Sequence, residues 1–279
     1  MKNTLFILSL ILSIVTYANT ASTTTTPTKS TTSKSSSVNF DISKEELTKI
    51  GDQIFFNEAS SKPEKLVWWN DGEDFPSLGI GHFILYPAGY NGPFDESLPK
   101  LKQYYIQRGI KLPKILADNA HAPWKNKAEM ESKRNTPEFK ELIDFFNNTK
   151  DTQVTYIFRV RLTAALAKML EKTENKKHVQ EQFKRMAMST NGLYPLIDYV
   201  NFKGEGVMIT ERYKGQGWGL LQVLEEMKGT QTGQAALDDF SRTSIVVLTN
   251  RVKNSPQERG ENRWLPGWTN RCNTYKTFK

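Results

Sequence analysis

Of the nineteen residues 20–38, fourteen are Ser or Thr, and the others form no apolar period. Such a stretch has nothing with which to offset the entropy of ordering it, so it reads as a flexible tether. It divides the chain into a leader over 1–18, a Ser/Thr-rich linker over 19–39 and a folded domain over 40–279. The leader has Lys2 as a positive start, an apolar run from Leu5 to Val15, and Thr16-Tyr17-Ala18 with small residues at both ends. That is the layout of a signal peptide and its cleavage site. The alternative is an uncleaved anchor, but the apolar run is far shorter than the roughly 20 residues a membrane span needs. No Cys lies near the cleavage point, which excludes lipid attachment there. The expectation is an exported protein, periplasmic or secreted, with no stable membrane insertion once the leader is removed.

Charge narrows the partners. The sequence holds 38 Lys and Arg against 30 Asp and Glu, a formal net charge of +8. That balance suits nucleic acid, acidic lipid or an anionic cell-wall polymer, and export makes nucleic acid the poor candidate. The single cysteine, Cys272, excludes an intramolecular disulfide and a Cys-based structural zinc site. His82, His121 and His178 are too scattered to suggest a metal, and Cys272 reads as an inert buried thiol. A stock of 15 Phe, 10 Tyr and 6 Trp is enough to build a sizeable core. The sequence contains no nucleophile elbow, phosphate-binding Gly loop or dinucleotide fingerprint.

The domain reads as α+β and mainly helical. Ser43 with Glu46 makes a capping box ahead of Leu47, Ile50, Ile54 and Phe55 at helical spacing. Residues 66–86 interleave aromatic and aliphatic residues with Gly72, Pro76, Gly79 and Gly81, as a small twisted hairpin or sheet does. Residues 87–135 are punctuated by Pro and read as loops with short helices. Thr136-Pro137 opens a helix with Pro in its first position. An apolar stripe runs over 151–172, and further helices are expected at 176–189, 194–204, 217–228, 233–253 and 267–276.

Glu58 stands four residues after Ile54, on the apolar stripe and at the C-terminal end of the first helix. Burial and the negative end of the helix dipole both favour its protonated form. A carboxylic acid kept protonated near neutral pH is what a glycosidase uses to protonate a leaving-group oxygen. The alternative is that the helix ends a turn earlier and Glu58 is a solvated loop residue. Downstream, Asp71-Gly72-Glu73-Asp74-Phe75-Pro76-Ser77-Leu78-Gly79-Ile80-Gly81-His82 leads a Gly-rich turn into a strand. The bare Gly79 and Gly81 would let a bulky polymer approach the backbone.

The segment Ser77-Leu78-Gly79-Ile80-Gly81-His82 resembles the closing strand of the small hairpin in bacteriophage-type (T4-like) lysozymes, which follows a glutamate at the end of the first helix. Further segments resemble that family in the expected order: residues 196–205, ending Lys203-Gly204-Glu205, then residues 251–259, then Trp268 and Tyr275. Residues 87–150 have no counterpart, so the resemblance is to a divergent lysozyme-like family. It implies a two-lobed domain that hydrolyses the β-1,4 bond between N-acetylmuramic acid and N-acetylglucosamine in peptidoglycan glycan strands, without a cofactor. Glu58 would protonate the glycosidic oxygen. Asp71, or failing it Asp74, would act on the water or stabilise developing positive charge, with Ser77 placing that water. Gly79, Gly81, His82 and Glu205 would border the substrate.

Two rivals stay open. Gly217-Trp218-Gly219-Leu220-Leu221-Gln222 resembles the Gly-Leu-Met-Gln signature of lytic transglycosylases, whose products carry 1,6-anhydro ends, with Glu205 as an upstream acid. The same residues also suit a helix start packed against its neighbour, and Glu205 equally suits a helix cap. The other rival is a non-catalytic peptidoglycan-binding module. The oligomeric state is left open by the sequence.

Overall fold

The computed structural model describes residues 42–92 and 94–279; the expected leader and linker lie outside the described residues. Helix α1 spans Lys44–Ala59. Ser43 Oγ accepts from the Glu46 amide at 3.1 Å, and Glu45 and Glu46 place negative charge at the positive end of the helix. Leu47, Ile50, Ile54 and Phe55 are buried on the face that the sequence pattern marks. The helix ends where Ser60 and Ser61 both turn left-handed, at φ 52° and 55°, so Glu58 lies in its last turn.

A three-stranded antiparallel sheet follows in the order β1 (Val67–Trp68), β2 (Ser77–Leu78) and β3 (Phe83–Ile84). Val67 faces Leu78, and Ser77 faces both Trp68 and Ile84. The β2–β3 turn, residues 79–82, is fixed from below by buried Gln153. Its Oε1 accepts from the Ile80 amide at 2.8 Å, while its Nε2 donates to Phe146 O at 2.7 Å. Gly79 has φ +68°, and a Cβ there would collide with Gln153 Oε1. A Cβ at Gly81 would meet the Phe83 ring at 2.6 Å. Both glycines are buried. Their missing side chains make room for core side chains, Gln153 beside Gly79 and Phe83 beside Gly81.

The Pro-punctuated region carries α2 (Leu98–Gln107), α3 (Lys114–Ala117) and α4 (Lys127–Lys133). Helix α5 (Pro137–Asn148) opens with Thr136 capping the Phe139 amide. The expected helix over 151–172 forms as α6 (Lys150–Tyr156), a π-helical segment (Ile157–Leu162) and α7 (Thr163–Lys172). Then come α8 (Lys176–Ala187), α9 (Leu193–Lys203), α10 (Leu220–Glu226), α11 (Gln234–Asn254) and α12 (Leu265–Thr274). A second hairpin, β4 (Arg212–Tyr213) with β5 (Gln216–Gly217), precedes α10. The fold is thus mainly helical with small antiparallel sheets, and one cluster of buried apolar side chains runs from Ile42 to Tyr275. No described helix is long and apolar enough to cross a membrane.

Candidate active site

Four elements meet at Glu58: the end of α1, the β2–β3 turn, α9 and α12. The Glu58 side chain retains 11% exposure. Arg271 Nη2 donates to its Oε1 at 2.6 Å, and Asn201 Nδ2 donates to the same oxygen at 3.3 Å. His82 Nδ1 lies 3.4 Å from Oε2, placed there by a backbone at φ 45°. Arg271 is itself anchored. Its Nε and Nη2 each donate to Asp198 at 2.8 Å, and its guanidinium stacks on Phe202 with the carbon 4.0 Å from the ring centroid. Asp198 is fully buried and also accepts from Tyr275 at 2.7 Å and Asn57 at 3.1 Å. Helical spacing explains the convergence. Asp198 and Asn201 are one turn apart on α9, as Arg271 and Tyr275 are at the end of α12.

The electrostatics reverse one expectation. Burial pushes the Glu58 pKa up and is the largest single influence, but the charges of Arg271 and His82 and the hydrogen bonds from Arg271 and Asn201 together hold it below its ordinary value. Glu58 is therefore ionised in this arrangement, not held as the neutral acid that burial and helix dipole alone would give. The missed element is Arg271, which the three hydrogen bonds join to two carboxylates at once.

The other expected residues each have partners of their own. Asp71 is 97% exposed on the β1–β2 connection and pairs with Lys127 at 2.6 Å. Asp74 accepts from the Tyr90 hydroxyl at 2.9 Å. Among the described residues, no hydrogen bond or ion pair joins either aspartate to Glu58. Asp74 lines a cavity of about 850 Å³ with Trp69, Glu73, Tyr90, His121 and Trp124, and Glu58 is not in its wall. Ser77 is buried within β2 at 4% exposure. Glu205 pairs with Lys168 at 3.2 Å through its side chain, while its carbonyl and that of Gly204 accept the first amides of α10. Its backbone thus serves the helix start, and its side chain faces Lys168 and Arg161.

The Gly217–Gln222 motif is a helix start. Gly219 caps α10, Gln222 Oε1 accepts from the Gly219 amide at 2.9 Å, and Gln222 Nε2 donates to Gly206 O at 3.1 Å. A Cβ at Gly219 would collide with the Gly206 backbone, so close packing requires the glycine. Of the adjacent Trp68 and Trp69, Trp69 is buried and Trp68 stays partly exposed beside Arg134. Cys272 is buried, and burial followed by the charge of Asp198 pushes its thiol up to about 12. Among the described residues no group of three His, Cys, Asp or Glu is arranged to hold a metal ion.

No protein family, no curated protein and no solved structure gives a match to this chain.

Proposed function

We propose that the protein is an exported peptidoglycan glycosidase of lysozyme-like, two-lobed architecture, with Glu58 as its proton-handling carboxylate. The observation that carries this is the placement of Glu58. It is a nearly buried carboxylate at the end of the first helix, against His82 of the Ser77–His82 turn, with Arg271 and Asn201 fixing one oxygen. The resting carboxylate is ionised in this reading. Desolvation by a bound saccharide would raise its pKa, so that it takes up from solvent, as the complex forms, the proton it then donates to the glycosidic oxygen. The net positive charge and the signal-peptide pattern support an anionic wall polymer as substrate.

One observation favours a second reading with the same substrate. Asp71 pairs with Lys127 and Asp74 accepts from Tyr90, so both expected aspartates are engaged by other partners. A lytic transglycosylase needs one acid/base carboxylate and no activated water. Mass spectrometry of purified sacks digested with the protein separates the possibilities. Hydrolysis leaves reducing ends, and transglycosylation leaves 1,6-anhydro ends. Sacks that bind the protein yet release no soluble muropeptides would reduce it to a binding module.

A further inference from the structure

Asn201 steadies Glu58, and Asn201 is itself held. Arg161 Nη1 donates to Asn201 Oδ1 at 2.8 Å. A carboxamide presents either its oxygen or its nitrogen to a neighbour, and the two ends have opposite effects on a carboxylate. With its oxygen taken by Arg161, Asn201 has only its N–H groups to offer Glu58, which is the bond observed at 3.3 Å. Arg161 comes from the π-helical segment Ile157–Leu162, between the buried side chains of Phe158 and Leu162. Such wide turns inside α-helices concentrate at functional sites.

We propose that Arg161 is a positioning residue of the Glu58 site, fixing the carboxylate through Asn201. The groups around both residues fit that role. Glu58 faces Arg271 from α12, His82 from the β2–β3 turn and Asn201 from α9. Arg161 feels Glu205 most, then Tyr156 and Glu58, against the burial that depresses its own pKa. Lys168, two turns further along the same helix, takes the Glu205 carboxylate at 3.2 Å. The consequence for turnover rests on the glycosidase reading, whereas the geometry does not.

The test uses the full chain carrying Arg161→Met, Arg161→Lys or Asn201→Leu. Carbon-13 NMR follows the Glu58 carboxyl through a pH titration, with Glu58→Gln to assign its signal, and turnover is measured on purified glycan strands. Arg161→Met is expected to raise the Glu58 midpoint by about half a unit, less than a directly bonded cation contributes. It should also lower kcat roughly tenfold with little change in KM, as a misplaced group does. Arg161→Lys should restore the midpoint, because the charge remains, but only part of kcat, because the planar fork is lost. Asn201→Leu should lower kcat to a similar extent. An unmoved midpoint in folded Arg161→Met overturns the proposal. Should that variant fail to fold, unchanged kcat in both Arg161→Lys and Asn201→Leu overturns it instead. A moved midpoint in a protein that releases no muropeptides removes the glycosidase reading and leaves the positioning role standing.

Discussion

Replacing Arg271 with Met removes three hydrogen bonds at once, two to Asp198 and one to Glu58, and keeps most of the aliphatic volume over Phe202. Asp198 has no solvent exposure and keeps only the Tyr275 and Asn57 donors. Breaking a buried pair from one side costs about 3–5 kcal/mol, because a charge is left without its partner. Against a typical domain stability of about 5–15 kcal/mol, the loss is readable in urea unfolding followed by circular dichroism. Adding Asp198→Asn to Arg271→Met should recover part of it, since the fully buried one of the two orphaned carboxylates is then neutral while Glu58 keeps its charge and His82. The pH dependence supplies an independent check. In the wild type the Glu58 pKa is held below its ordinary 4.5, so its contribution is present above pH 4.5 and drains away as pH falls through the lower folded value. Without Arg271, two of the influences that oppose burial are gone, so the folded pKa moves up. The stability that Glu58 loses on acidification should shrink accordingly. A loss below 1 kcal/mol with the wild-type acid response retained would refute the account of this network.

Two further substitutions test other joints of the fold. Glu261 is buried and accepts from Arg251, Arg259 and Tyr213; burial opposes these donors, which nonetheless hold its pKa at about 2 against an ordinary 4.5. That difference corresponds to about 3 kcal/mol, present above pH 4.5 and lost as pH falls towards 2, and Glu261→Gln should remove that acid sensitivity in pH-dependent melts. Gly79→Ala meets both a left-handed backbone and Gln153 Oε1, so it should destabilise by about 1–3 kcal/mol and lower Tm; an unchanged Tm would show that the turn is not pinned.

The helices were legible because each carries its own signals. Ser43 ahead of α1 and Thr136-Pro137 ahead of α5 mark helix starts, and the aromatic and glycine mixture of residues 66–86 marks the sheet. The β4–β5 hairpin escaped because its strands are two residues long, too short for a period; its trace was the Lys214-Gly215 turn, with both residues at positive φ. The π-helical segment escaped because periodicity reports an apolar stripe and not hydrogen-bond spacing. The stripe of Leu47, Ile50, Ile54 and Phe55 puts Glu58 on the first helix, as observed, but its ionisation depends on Arg271, 213 residues away, and nothing local distinguishes that arginine from the chain's other cations. Gly79 and Gly81 were legible as special positions. The reason for them is Gln153 and Phe83, contacts that only the tertiary structure supplies.

The most direct test of the central claim compares wild type with Glu58→Gln on purified peptidoglycan sacks, measuring released muropeptides. The amide keeps the shape of the side chain and cannot donate the proton, so release should fall by at least roughly 100-fold, the low end for general-acid catalysis. Circular dichroism of the same preparation should report an intact fold. Full release by Glu58→Gln, with Glu205→Gln inactive, would contradict the account and move the acid to the segment after α9.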